Sequence, residues 1–223
     1  AKAAHEAGVP VVTGDTKVVE QGKGDGVFIT TTGVGVMREG ITLAGNLAQA
    51  GDKILLSGTI GDHGMAILSQ REGLSFDAPI VSDTAALHGL VAAMLDSGAQ
   101  LRVLRDPTRG GLATTLNEIA KQSAVGMMLQ ESAIRINPPV EAACEFLGLD
   151  PLYIANEGKL IAICAAQDAE RLLHVMKNHP QARDAAIIGE VVQDAHGFVQ
   201  MTTRMGGRRV VDWLAGEQLP RIC

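Results

Sequence analysis

The residues best suited by type to do chemistry are a terminal thiol and four short polar segments. The chain ends Leu219-Pro220-Arg221-Ile222-Cys223, leaving a sulfur beside a free carboxylate with no following backbone to bury it. The stretch from Ala215 carries Gly216 and Pro220 and has no helical or strand periodicity. Nine extended residues span roughly 30 Å, enough to carry a sulfur to a distant site. A frayed terminus with a leftover thiol is the plainer reading of such an ending. The other cysteines, Cys144 and Cys164, lie in apolar stretches without a CxxC pair, so three cysteines make no disulfide framework.

Gly14-Asp15-Thr16-Lys17 puts a carboxylate and an ammonium two residues apart on a loop. That pairing suits a nucleotide, with Asp15 on Mg²⁺ and Lys17 on phosphate oxygens or moving a proton; Gly-Asp is also ordinary turn chemistry. In Asp106-Pro107-Thr108-Arg109-Gly110-Gly111 two glycines precede a helix, so backbone N–H groups can face an anion. No Gly-Lys-Ser/Thr follows, and a helix entry capped by Asp or Thr explains the segment equally well. Asn156-Glu157-Gly158-Lys159 is a polar loop wedged before an apolar strand, where Glu157 is either a general base or a turn residue paired with a neighbour. In residues 58–64, His63 has no second histidine at metal spacing. That loop reads as structural, with Asp62 capping a helix.

The elements that must hold these segments follow from periodicity. The opening residues 1–8 read as the last turns of a helix closed by Gly8, which implies that the chain is the later part of a longer protein. Strands are expected at 9–12, 27–32 and 54–58, and helices at 62–71 and 83–97. A strand at 101–104 feeds a helix at 112–123. Further strands are expected at 125–129, 159–165, 186–192 and 197–202, with helices at 140–147 and 169–178. Such alternation indicates a layered α/β or α+β domain. A junction is expected between about residues 41 and 51.

Composition narrows the function classes. The 223 residues carry a formal charge of -6 and no cluster of Lys and Arg, which argues against a nucleic-acid surface. No apolar run is long enough to span a bilayer and no signal peptide is visible, so a reducing cytoplasm is the expected location.

Five segments together strongly resemble one family. They are residues 12–19 around Gly14-Asp15-Thr16-Lys17, residues 57–64, residues 105–112, residues 155–160 and the ending Pro220-Arg221-Ile222-Cys223. The pattern resembles the HypE family of hydrogenase maturation factors, grouped with aminoimidazole ribonucleotide synthetase, selenophosphate synthetase and thiamine-monophosphate kinase. The likeness covers essentially the whole chain. The family's first portion, which has a glycine-rich segment and acidic residues for ATP and Mg²⁺, has no counterpart in these 223 residues.

That resemblance implies a two-domain α/β (α+β) architecture like that of aminoimidazole ribonucleotide synthetase. Residues 1–45 would be a remnant of an ATP-binding and dimerisation domain, 46–212 a layered α/β domain and 213–223 a flexible tail. It implies that a carbamoyltransferase, HypF, loads the thiol of Cys223, and that ATP then drives loss of water to leave a thiocyanate. The cyanide would pass to iron on a HypC–HypD complex for the NiFe hydrogenase centre. Lys17 and Glu157 match family residues near the docked tail and would move protons and orient the group. Asp15 and Thr16 would contact nucleotide, Asp15 the Mg²⁺, and Arg109 and Gly110 an anion. A homodimer is expected. Two other classes compete: a kinase or synthetase for a small molecule, marked by ATP turnover that survives loss of Cys223, and a non-catalytic carrier; these 223 residues by themselves are expected to turn over ATP weakly or not at all.

Overall fold

The computed structural model describes residues 2–24, 26–76 and 78–214, and the chain divides into two units at Thr42/Leu43. The first unit has one short helix, α1 (Lys2–Glu6), closed as its glycine suggested: Gly8 adopts φ +66°. The strands expected at 9–12 and 27–32 do not form. Val11, Val12, Val27, Phe28 and Ile29 are all strongly exposed. Extended backbone becomes a strand only beside a row of complementary N–H and C=O groups, and the described part of this unit supplies none.

The second unit is built on a seven-stranded sheet. Its strands are β1 (Lys53–Leu56), β2 (Leu101–Arg105), β3 (Gly126–Gln130), β4 (Ile161–Cys164), β5 (Ala186–Val192), β6 (Val199–Thr202) and β7 (Arg208–Val210). They lie in the order β2-β4-β1-β5-β3-β6-β7, antiparallel except for the β3–β6 pair. The helices are α2 (Asp62–Glu72), α3 (His88–Asp96), α4 (Gly111–Ser123), α5 (Pro138–Leu147) and α6 (Ala169–Lys177).

Strand alternation sends side chains to two faces, and helices cover both. Ile54 and Leu56 of β1 join Ile161 and Ile163 of β4 under Leu112, Leu116 and Ile119 of α4. Those α4 positions recur every three to four residues, forming one apolar stripe. Leu55 of β1 points the other way, with Ala162 and Cys164, toward Leu90 and Met94 of α3 and Leu172 and Met176 of α6. A third cluster joins α2 to α5 through Met65, Leu68, Val140 and Ala143, with Ile154 beneath.

Two expectations need correction. The helix expected at 83–97 begins at His88, because Asp83 spends its carboxylate elsewhere instead of capping. Nor do Asp62, Asp106 and Thr108 cap their helices: the cap residues of α2 and α4 are Gly61 (φ +85°) and Gly110 (φ +70°), neither with a side-chain cap. Asp62 instead accepts from Thr59 Oγ1 and Asn137 Nδ2, tying the 58–62 loop to the start of α5.

The two cysteines of the described core are poor nucleophiles. Burial, helped by the negative charge of Asp150, pushes the Cys144 thiol up to about 11. Burial, then Asp168 and Asp52, pushes Cys164 up to about 12, against an opposing pull from Arg102. A thiol that ionises at 9.0 when unfolded but higher when folded stabilises the fold at lower pH. Between pH 9 and the folded values the unfolded chain holds fewer protons, so stability falls as pH rises. The expected slope is at most about 1.4 kcal/mol per pH unit per thiol. Denaturant titrations at pH 8 and pH 10.5 should show the loss, and Cys164→Ala should flatten it; an unchanged slope in that variant would contradict this origin.

Candidate active site

Three of the polar segments meet at one buried side chain. Asn156 is fully buried. Its Oδ1 accepts from the N–H of Gly61 at 2.8 Å, and its Nδ2 donates to the carbonyls of Pro107 at 2.9 Å and Ile154 at 3.1 Å. Its own N–H donates to Pro107 O at 3.2 Å. The 58–64, 106–111 and 156–159 segments, weak signals one by one, are thus one assembly.

Close backbone packing explains the glycines there. A Cβ on Gly111 would lie 2.5 Å from Leu152 O and 2.7 Å from Ile154 O, and one on Gly64 would lie 2.5 Å from Ile154 Cγ2. Gly110 and Gly111 both adopt left-handed φ, +70° and +62°, at the head of the 13-residue α4. The first N–H groups of a helix lack intrahelical partners and, with the helix dipole, favour an anion. Arg109 is exposed beside them. Arg105, at the end of β2, is held charged above its ordinary range by its hydrogen bond to Glu118, a 2.6 Å ion pair across to α4.

Glu157 is half-buried and its backbone is fixed from the other side. Its N–H donates to Asp83 Oδ1 at 3.0 Å, and Lys159 Nζ lies 3.3 Å from Asp83 Oδ2. That second contact is ionic in character, since Oδ2 accepts no directed hydrogen bond. Ser57 and Leu160 exchange two hydrogen bonds, Ser57 N–H to Leu160 O and Leu160 N–H to Ser57 Oγ, both 3.0 Å, continuing the grip into β4. Ser57, Thr59, Asp83, Gly158, Lys159 and Gln181 help line a polar cleft of about 220 Å³. A second cavity, of about 160 Å³, takes its lining from α5, β6 and their neighbours and from none of these loops.

The remaining expected site residues are not among the described residues of the second unit. Asp15, Thr16 and Lys17 belong to the first unit, where all three are exposed and Thr16 N–H donates to Asp15 Oδ1 at 2.8 Å. Cys223 lies outside the described residues. Among the described residues no three acidic, His or Cys side chains group as a metal cluster. None of their helices is long and apolar enough to cross a membrane. Ser82 and Asp83 escaped sequence reasoning because Ser-Asp-Thr before an apolar run carries the signature of a helix cap.

Comparison with known proteins shows the family. Residues 49–202 match the family described as AIR synthase related protein, C-terminal domain. The carbamoyl dehydratase HypE of Azotobacter vinelandii is 71% identical over 223 residues, which is all of this chain and 65% of that protein. The crystal structure of hydrogenase maturation protein HypE in complex with ATP superposes with a TM-score of 0.89 at 47% identity, covering 100% of this chain and 68% of that one. The chain is a member of the HypE family of AIR-synthase-related proteins. HypE in a crystallised HypE–HypF complex is likewise similar, at 44% identity and a TM-score of 0.86, over 96% of this chain and 69% of that one. The chain spans about 65% of the length of the first curated relatives it matches.

Proposed function

We propose that the full-length protein to which these residues belong acts in NiFe hydrogenase maturation as an ATP-dependent carbamoyl dehydratase working on its own terminal thiol. The observation that carries the reading is the whole-chain likeness, at 71% identity, to a relative named carbamoyl dehydratase HypE. A HypE solved with ATP and another solved with HypF support the nucleotide and the partner.

The chemistry assigns each residue a task. Cys223 accepts a carbamoyl group from HypF and becomes a thiocarboxamide. The amide oxygen is a poor leaving group, so it takes the γ-phosphoryl group of ATP and departs as phosphate. The carbon–oxygen bond breaks, the nitrogen gives up both protons and a carbon–nitrogen triple bond forms. The balance is thiocarboxamide plus ATP to thiocyanate, ADP, phosphate and a proton. Glu157 takes a proton from nitrogen, and Lys17 orients the group and handles a second proton. Arg109 and Gly110 face the anion at the head of α4, where two successive left-handed glycines suit a phosphate.

Asp15 and Thr16 contact the nucleotide. Mg²⁺, when bound, neutralises phosphate charge. Asp15 fits it, as an exposed carboxylate on a loop, because Mg²⁺ is usually held by one or two carboxylates together with phosphates. The thiocyanate would then serve a HypC–HypD complex. The exposed apolar side chains along 9–12 and 27–29 support pairing with a second copy as a homodimer. A reducing cytoplasm suits a reactive terminal thiol.

The test is whether ATP hydrolysis depends on the carbamoyl group. The full-length protein given ATP alone should turn over almost none. With HypF and carbamoyl phosphate it should consume one additional ATP per thiol loaded. ATP turnover indifferent to HypF would favour a kinase or synthetase for an external small molecule.

A further inference from the structure

The Ser82–Thr84 segment belongs to no helix or strand, yet it is tightly held. Ser82 Oγ hydrogen-bonds His63 Nδ1 at 2.9 Å, fixing the segment to the first turn of α2. Asp83 follows with a side chain only 2% exposed. One oxygen receives the Glu157 N–H at 3.0 Å and the other faces Lys159 Nζ at 3.3 Å. The Asp83 carbonyl occupies the space a side chain at position 158 would need, so Gly158 lies directly against it. Asn156, the residue before Glu157, is itself fixed to Pro107 and Gly61. The backbone of Glu157 is therefore gripped from both sides, by Asn156 on one and by Asp83 on the other.

A buried carboxylate is costly to desolvate, and a structural cross-link alone could be made with less charge. What the carboxylate adds is a charge-assisted acceptor aimed at the N–H of the proposed base, stiffened by a cation two residues further on. Misplacing a catalytic group by about 1 Å costs on the order of 10²-fold in rate.

We propose that Asp83 is a positioning residue for Glu157, setting the base's backbone for proton removal during water loss. This rests on the dehydratase reading. The role is separable from folding because the reaction has two stages, and only the second uses Glu157.

The experiment measures single-turnover water loss from the carbamoylated full-length protein, with KM for ATP and the extent of carbamoylation followed alongside. Asp83→Ala should slow water loss by about 10- to 100-fold. Its KM for ATP should stay within about twofold and carbamoylation should be complete. Asp83→Asn keeps an oxygen for the Glu157 N–H and should recover most of the rate. The double variant Asp83→Ala/Lys159→Met removes the stranded cation without restoring the acceptor, and should stay slow.

Wild-type water loss per folded molecule in Asp83→Ala would overturn the proposal. So would recovery in the double variant, which would reduce Asp83 to a counter-ion. Failure of both alanine variants to fold would make it a folding residue and overturn the proposal equally. Normal dehydration by Glu157→Ala would be a different failure, because it would remove the function on which the proposal rests.

Discussion

Glu157→Ala in the full-length protein is expected to slow water loss by about 10²- to 10⁴-fold, the usual contribution of a positioned acid or base. Carbamoylation of Cys223 should proceed as in the wild type, because HypF performs that step. Lys17→Ala should show the same separation of stages with a smaller deficit, since an orienting cation contributes less than the base itself. The measurement is the time course of intact mass, in which the carbamoylated species should accumulate and persist. Geometry points the same way as the chemistry: Glu157 is half-buried on a loop held by its own N–H, bonded to Asp83 Oδ1, and by the Asn156 N–H, bonded to Pro107 O. A base on so constrained a loop has little freedom to be replaced by a neighbour. Unimpaired dehydration in both variants would contradict the assignment of either residue.

Asn156→Ala is expected to destabilise the fold severely, for a reason unrelated to proton transfer. It leaves the Gly61 N–H and the Ile154 carbonyl without the partners they have inside the protein, and the Pro107 carbonyl with only the backbone bond. Each buried group so stranded costs about 1–3 kcal/mol. The sum for the two stranded groups is about 2–6 kcal/mol, or a fall in melting temperature on the order of 4–24 °C for a domain of this size. Asn156→Asp should fare no better, because it would turn a carboxylate oxygen toward two carbonyls. Calorimetry decides: a melting temperature within about 2 °C of wild type would mean the three loops are held together by something other than this amide.

Much of this architecture was legible from periodicity. The apolar stripe of α4 and the fully apolar run of β4 announced themselves because packing on a sheet demands those spacings. The pairing was not legible: β1 lies between β4 and β5, partners more than a hundred residues away in sequence, and no local pattern encodes that choice. Strand β7 went unnoticed because its three residues, Arg208–Val210, are exposed and mostly charged, as an edge strand should be. The strands expected at 9–12 and 27–32 show the converse, with β-branched sequence in place but no hydrogen-bonding neighbour in the described unit.

The site was legible in pieces. Each loop carried glycines and a carboxylate, but turn chemistry explains such residues equally well, and only the Asn156 hydrogen bonds reveal that three loops are one assembly. Asp83 was hidden by its own best local explanation. An aspartate before an apolar periodic run is a helix cap in most contexts. Here the helix starts five residues later, because the carboxylate is claimed by Glu157 and Lys159.

The most direct test follows the mass of Cys223 itself. Full-length protein, HypF, carbamoyl phosphate and ATP are combined, and the peptide bearing Cys223 is weighed over time. The expected result is the gain of one carbamoyl group on that peptide, then the loss of one water, with both changes abolished in Cys223→Ala. A carbamoyl group that appears on another residue, or water loss that persists in Cys223→Ala, would contradict the account.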